Sequence, residues 1–275
     1  MRYKQVHRIK KDTDFCLQVL RWFTEIWYNE EKTEEYRLLI IDPHIHLMPG
    51  LGDGPSDENE AGEMLTALDS AGVSCAVAVT HLDLSRMQDH VIFPARYHES
   101  QRALKLVQKR LHSRVKLVFS FEVDYEVGMF SSFDMHAYRI PGTDLLPINF
   151  PIGNLYDEDV RDFSNLIHRQ HLRPLICQFE RHILMPGNAK DKLLGMYSAE
   201  YLISSTSLLF REVDDVLQKS VIDKRTFYLS TNAHNATSRR PLLTEEEMRL
   251  SGSYQTALYR RLLQANAALY QKVLR

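Results

Sequence analysis

Cysteine is scarce: the chain has 3 in 275 residues, Cys16, Cys75 and Cys177. An odd, sparse set is not a disulfide framework, and a reducing compartment is expected. Long apolar runs are missing. No segment approaches the roughly 20 residues that a membrane helix needs. The charged opening MRYKQVHRIKKDTD lacks the apolar stretch of a secretory signal. These absences predict a cytoplasmic globular protein with no membrane span. Neither charge dominates: 34 Lys+Arg against 36 Asp+Glu leave a net charge of -2. That excludes nucleic-acid binding through bulk electrostatics. Gly-rich phosphate loops, Gly-x-Ser-x-Gly turns and Ser-x-x-Lys pairs are absent in usable contexts. No cysteine opens a Cys-x5-Arg loop, so thiol chemistry is not expected. Cys177 falls in an apolar strand, where a thiol is inert.

Hydrophobic residues make up 44% and charged residues 25%, the balance of a folded soluble chain. Asp12–Asn29 has helical periodicity, with Phe15, Val19, Trp22 and Ile26 on one stripe and Cys16, Leu20, Phe23 and Trp27 beside it. So wide an apolar face predicts docking on the main body or on a second copy of the chain. Glu30–Glu35 is a charged linker. The organisation expected is therefore an N-terminal helical extension over residues 1–35 and one domain over 36–275.

From Leu38 a strand–helix rhythm begins. Strands are predicted at Leu38–Ile41, Cys75–Val79, Leu117–Phe121, Asp144–Ile148, Pro174–Cys177, Tyr201–Ser204 and Phe227–Leu229. Helices are predicted at Asp57–Ala71, Arg96–Arg110, Glu158–Arg169, Phe210–Ser220 and Tyr254–Leu274. Asp57 and Glu60 fit a capping box. Alternation of this kind implies a parallel sheet covered by helices. The number of units suggests an α/β fold closed, or nearly closed, into a barrel.

Polar side chains follow each strand. The first runs into Asp42-Pro43-His44-Ile45-His46, the second into Thr80-His81 and the third into Glu122. The next two run into Asn149 and Gln178-Phe179-Glu180-Arg181, and the last towards Asn232-Ala233-His234. In parallel barrels that end of the strands carries the active site. His-x-His in an extended segment puts both imidazoles on one side. Two imidazoles with a carboxylate suit zinc, manganese or iron. Asp83, Asp124 and Glu126 are read as solvated loop charge. His90, His98, His112, His136, His168 and His171 have no partner at ligand spacing and are read as surface residues.

The segment Asp42-Pro-His44-Ile-His46-Leu-Met-Pro-Gly-Leu-Gly-Asp53-Gly resembles the opening motif DxHxHxLPGxDDG of the bacterial capsule-type tyrosine phosphatases. Those belong to the polymerase-and-histidinol-phosphatase (PHP) superfamily. Val79-Thr80-His81, Glu122-Val-Asp-Tyr, Phe179-Glu180-Arg181, Asn232-Ala-His234-Asn235 and Arg240-Pro241 continue the likeness in order, over roughly Leu38 to Leu243. The resemblance implies a distorted (β/α)7-like PHP barrel that binds divalent metal, manganese first and zinc or iron next. It implies a hydrolase, a protein phosphatase acting on phosphotyrosine of the bacterial tyrosine kinase that controls capsule and exopolysaccharide synthesis. By the same resemblance His44, His46, His81, Glu122 and His234 match metal ligands. Arg181 and Arg240 match phosphate-holding catalytic arginines, and Asp53 and His182 fall at substrate-binding positions.

The chain departs from the family at four points. Gln178 replaces a histidine, Asn232 an aspartate and Asn149 a glutamate, and Gly52 replaces the first aspartate of the turn. Amide oxygens coordinate hard cations but bring no charge. Fewer ions than the multi-metal relatives carry, and weak activity, are expected. The alternative is a degenerate, non-catalytic PHP relative that binds a phosphorylated or kinase partner. A different metal hydrolase on the same fold is a third reading.

Overall fold

The computed structural model describes residues 40–84, 92–196, 198–222, 224–241 and 256–273. The expected helix Asp12–Asn29 and the linker after it lie outside the described residues. The remaining elements follow the expected alternation, with boundaries shifted by a few residues.

Strand β1 (Ile40–Ile45) leads into helix α1 (Glu58–Ser70). Then come β2 (Val73–Ala78), β3 (His81–Leu82), α2 (Ile92–Leu111), β4 (Lys116–Phe119) and β5 (Glu122–Asp124). The short α3 (Met129–Ser132) precedes β6 (Leu145–Asn149), α4 (Asp157–Arg169) and β7 (Arg173–Ile176). Helices α5 (Glu180–Leu184) and α6 (Ala189–Gly195) lead to β8 (Glu200–Ser204), α7 (Arg211–Ile222) and β9 (Phe227–Ser230). Helix α8 (Thr256–Val273) ends the described chain. Helices α3, α5 and α6 are too short to leave a periodic signature in the sequence. Asp57 caps α1 as expected, accepting from the N–H groups of Asn59 and Glu60. The Glu60 carboxylate does not return to Asp57; it takes the Ser56 N–H at 2.7 Å and the Ser56 hydroxyl at 2.8 Å.

Every strand pair is parallel, and the hydrogen bonding resolves into two sheets. One has the order β1-β2-β4 and the other β3-β5-β6-β7-β8-β9. The architecture is thus the mixed α/β fold expected, but the sheet is not one unbroken ladder. The division falls at Val79-Thr80 and at Ser120-Phe121, where β2 passes into β3 and β4 into β5. Backbone bonds bridge these gaps, from Val79 N–H to Ile45 O at 2.9 Å and from Glu122 N–H to Thr80 O at 2.9 Å.

The first and last strands are joined by other means. Asn232 N–H donates to His44 O at 3.1 Å and His46 N–H to Ala233 O at 2.9 Å. Beneath them the Asp42 carboxylate accepts from the Thr231 N–H at 3.1 Å and the Thr231 hydroxyl at 2.5 Å. Asn266 of α8 is fully buried and completes the seam. Its amide nitrogen donates to Ile41 O at 3.0 Å and Leu229 O at 2.6 Å, while its oxygen accepts from Leu229 N–H at 3.1 Å.

Alternate strand residues enter two apolar clusters. The smaller takes Ile41 of β1, Cys75 and Val77 of β2, Val118 of β4, Leu145 of β6, Leu175 of β7, Leu202 of β8 and Tyr228 of β9. Leu269 and Val273 of α8 close it. The larger lies between the strands and helices, with Met64, Leu65 and Leu68 of α1 among its members. At the N-terminal ends of the strands Arg173 is held by Asp144 through paired contacts of 2.7 Å and by Glu200, which also accepts the Tyr228 hydroxyl. That end is closed by a partly exposed ionic cluster in which only Glu200 is buried. The opposite end is left to carry chemistry.

Replacing Asn266 with Ala strands the Leu229 N–H and two carbonyls in a dry seam. Stability measured by urea unfolding should fall by about 2–3 kcal/mol, and a loss below about 0.5 kcal/mol would show that the seam does not need it.

Candidate metal centre

Pro43 has no N–H to give a ladder, and the β1–β2 register shifts between Asp42 and Ile45. The irregularity is fixed by the Asp42 side chain, which accepts the His44 N–H at 3.2 Å. His44 and His46 then flank Ile45 on the same side of the extended chain, as period-two alternation requires. Both rings are buried. Across the sheet, β3 pairs with β5 so that His81 lies beside Glu122.

The Glu122 carboxylate is fully buried at the centre. Its Oε2 lies 3.0 Å from His44 Nε2, 3.0 Å from His46 Nε2 and 3.8 Å from His81 Nε2. A second carboxylate, Asp53, arrives from the loop after β1. Its oxygens lie 3.1 Å from His46 Nδ1, 2.8 Å from His234 Nδ1 and 3.8 Å from His81 Nε2. The His46 and His234 rings stack with centroids 3.9 Å apart. Two groups of ligand atoms result, His44–His46–Glu122 and His46–Asp53–His81, each with its members within 4.8 Å of one another.

The charges are unevenly distributed. Burial pushes the Glu122 carboxyl up, but the His44 and His46 rings outweigh it and hold it well below the usual range. Burial lowers His44, against the charge of Glu122 and its hydrogen bond, which raise it. Burial opposes protonation of His81 as well, yet the Asp124 hydrogen bond and the charges of Glu122, Asp124 and Asp53 lift it to about 9. Asp53 is held low against partial burial by His234 and His46.

The donor set suits a divalent ion: imidazole nitrogens and carboxylate oxygens converge from separate strands. One atom makes the fit specific. Glu122 Oε1 is buried without a hydrogen-bond partner, whereas His46 Nε2 has the other oxygen of that carboxylate 3.0 Å away in a geometry that makes no hydrogen bond. A buried polar atom left this way ordinarily costs about 1–3 kcal/mol, and a cation beside it would satisfy it.

The three amides are engaged with neighbours. Gln178, in a left-handed conformation with φ of 50°, accepts Arg181 Nη1 at 3.0 Å through its side-chain oxygen. Asn149 donates to Asp124 at 2.8 Å. The Asn232 side-chain oxygen lies 3.3 Å from His234 Nε2. His182 is not among the gathered groups: it is buried against Phe150 and Phe179, and burial together with Arg181 pushes its ring down to about 4. Arg240 is exposed.

Its neighbour Arg239 comes closer, with Nη1 3.9 Å from Asp53 Oδ2. The side chain of Asn235 accepts the N–H groups of Thr237 at 3.0 Å and Arg239 at 2.9 Å, so the loop curls to place Arg239 at the rim. Asp124 is likewise no idle loop charge, since it binds His81 Nδ1 at 3.0 Å. The signal for it was the spacing Glu122-x-Asp124, which sets both carboxylates on one side of β5. Cys177 is buried, 3.8 Å from His44 Nδ1, with its thiol pushed well above the ordinary value by burial.

A parallel α/β protein with a histidine–carboxylate centre at the C-terminal ends of its strands is the class these features define. The sequence pattern of the family described as capsular polysaccharide synthesis, CpsB/CapC, matches residues 40–274, and the chain belongs to that family. No curated protein matches it. The fold is similar to one from the crystal structures of YwqE from Bacillus subtilis and CpsB from Streptococcus pneumoniae, described as unique metal-dependent tyrosine phosphatases. That similarity has 19% identity, covers 84% of this chain and 93% of the other, and has a TM-score of 0.65. An organophosphorus hydrolase from Deinococcus radiodurans is more distant, at 13% identity over 85% of this chain and 93% of the other, with a TM-score of 0.45. Among the described residues no helix is long and apolar enough to cross a membrane.

The raised His81 value has a measurable consequence. Its charge contributes to the stability of the metal-free protein below pH 6.5, and the contribution is lost as pH rises through about 9. A ligating imidazole must be neutral, so metal binding at about pH 7.5 should release a proton from this ring. Calorimetric titrations in buffers of different ionisation enthalpy should show about one proton fewer released by His81→Gln. Equal release by parent and variant would refute the assignment.

Proposed function

We propose that this protein is a metal-dependent phosphoesterase that hydrolyses phosphotyrosine on a bacterial tyrosine kinase of capsule or exopolysaccharide assembly. The observation that carries the reading is the convergence of His44, His46, Glu122, Asp53 and His81 on two adjoining groups of ligand atoms, with His234 held against Asp53. The partnerless, buried Glu122 Oε1 marks one of them. Family membership supports the link to capsular polysaccharide synthesis, and the similar solved fold is that of tyrosine phosphatases.

Manganese is the first candidate ion, with zinc or iron next, since the donors are nitrogen-rich but include two carboxylates. Divalent ions supply Lewis-acid polarisation and a water-derived nucleophile near neutral pH. The protein's own residues do the rest. Glu122 and Asp53 supply the anionic charge that such ions require. Gln178 steers the Arg181 guanidinium, and the Asn235 loop steers that of Arg239. A planar guanidinium meets two phosphate oxygens at once and stabilises charge as it develops on them. The buried walls formed by His44, His46 and Glu122 keep bulk water from screening these charges.

The engaged amides favour a second reading, in which the chain binds a phosphorylated kinase without turnover. One experiment separates the two. Purified protein with added manganese should hydrolyse a phosphotyrosine peptide, and His44→Ala or His46→Ala should abolish turnover. Tight peptide binding without hydrolysis under any of the three metals would leave the binding reading in place.

The arginines differ in their expected weight. Arg239→Ala should lower kcat/KM about 10- to 100-fold, equal to about 1.4–2.7 kcal/mol of transition-state stabilisation. Arg240→Ala should cost less. Steady-state kinetics with the same peptide decides, and the reverse order would move the phosphate contact to Arg240.

A further inference from the structure

We propose that Asp124 is a positioning carboxylate for His81, and that Asn149 acts as the clamp on Asp124. The inference rests on the metal-binding reading above and extends it to residues outside the two ligand groups.

Strand pairing brings the residues together. In register, β3 sets His81 beside Glu122, and β6 sets Asn149 beside Asp124. Glu122 and Asp124, two apart on β5, lie on one side of that strand. The histidine therefore meets carboxylates at both of its nitrogens, one at Nδ1 and two at Nε2. His81 Nδ1 lies 3.0 Å from Asp124 Oδ1, whereas Nε2 lies 3.8 Å from both Glu122 Oε2 and Asp53 Oδ2.

Hydrogen-bond accounting fixes the roles. The amide nitrogen of Asn149 can only donate, and it donates to Asp124 Oδ1 at 2.8 Å. An ionised carboxylate can only accept, so the proton between Asp124 and His81 sits on Nδ1. Neutral His81 then has its lone pair on Nε2, the nitrogen that faces Glu122 and Asp53. Metal-binding histidines are held in this way, with the distal N–H given to a carboxylate that sets tautomer and ring orientation. Asp124 lies on the far edge of the ring from those two carboxylates. It reaches the centre through His81.

The same accounting gives Asn149 a donor's role. Its nitrogen is committed to Asp124 Oδ1. A glutamate at this position would set a second negative charge against Asp124, while the amide supplies a donor. The amide thus braces the Asp124–His81 pair.

The test is metal binding, not turnover. Metal-free full-length protein is titrated with Co²⁺ at fixed pH, followed by calorimetry and by the visible absorption of the bound ion. His81→Ala should weaken the ion at the His46–Asp53–His81 position, and Asp124→Ala should weaken the same ion about 10- to 100-fold. The double variant should bind no worse than His81→Ala alone, because Asp124 acts through the ring. Asn149→Ala should cost a few-fold on its own and nothing in the Asp124→Ala background. Asp124→Asn preserves shape and should weaken binding in the same direction by less, which guards against a folding defect.

Additive losses in the double variant would make Asp124 an independent ligand and overturn the proposal. Unchanged affinity in both Asp124 variants would overturn it while leaving the metal reading intact. A parent that binds no Co²⁺, Mn²⁺ or Zn²⁺ would overturn the metal reading itself and this proposal with it.

Discussion

A carboxylate with no exposure, Glu122, sits where three strand ends meet, and the rest of the structure answers to its charge. Moving an isolated carboxylate into a dry interior is prohibitive unless opposite charge or donors meet it. Here His44 and His46 meet one oxygen, while the other has no hydrogen-bond partner. A purely structural network would satisfy both oxygens, because leaving one unmet is costly at a fully buried position. A site built for a cation has a reason to leave that oxygen open. The cost is borne by the parallel sheets, whose ladders and two apolar clusters fix the strand ends in place.

The seam between β1 and β9 turns that constraint into a site. Asp42, Thr231 and Asn266 draw the first and last strands together in the same region where His44 and Asn232 exchange a backbone bond. Burial lifts Asp42 to about 6, against the hydrogen bonds from Thr231 and His44 that lower it. Without the seam, His234 would have no fixed relation to His46, and their stacked rings are the wall against which Asp53 rests. The order of causes therefore runs from strand closure to imidazole convergence to charge.

Much of this is legible in the sequence, for identifiable reasons. Buried parallel strands read as short apolar runs, so the strands from Cys75 to Leu229 fall within a residue or two of their predicted limits, apart from the breaks at Thr80 and Phe121. Polar residues registered at strand ends mark His44, His46, His81, Glu122 and His234 in the sequence alone. What escaped depends on loop geometry or on cross-strand pairing. Arg239 and Arg240 are adjacent in sequence, and only the curl imposed by Asn235 brings Arg239 towards Asp53. Asp124 looks like loop charge until β6 sets Asn149 beside it. His182 sits in a charged sequence neighbourhood, yet aromatic packing buries it.

The proposed centre has two cation positions that share His46, while Gln178 holds Arg181 and Asn149 holds Asp124. Anomalous diffraction from crystals grown with manganese tests this most directly. The account expects one peak among His44, His46 and Glu122 and a second among Asp53, His81 and His46, with His81 Nδ1 still turned to Asp124. A peak ligated by Gln178 and Asn149, or no peak beside Glu122, would contradict it.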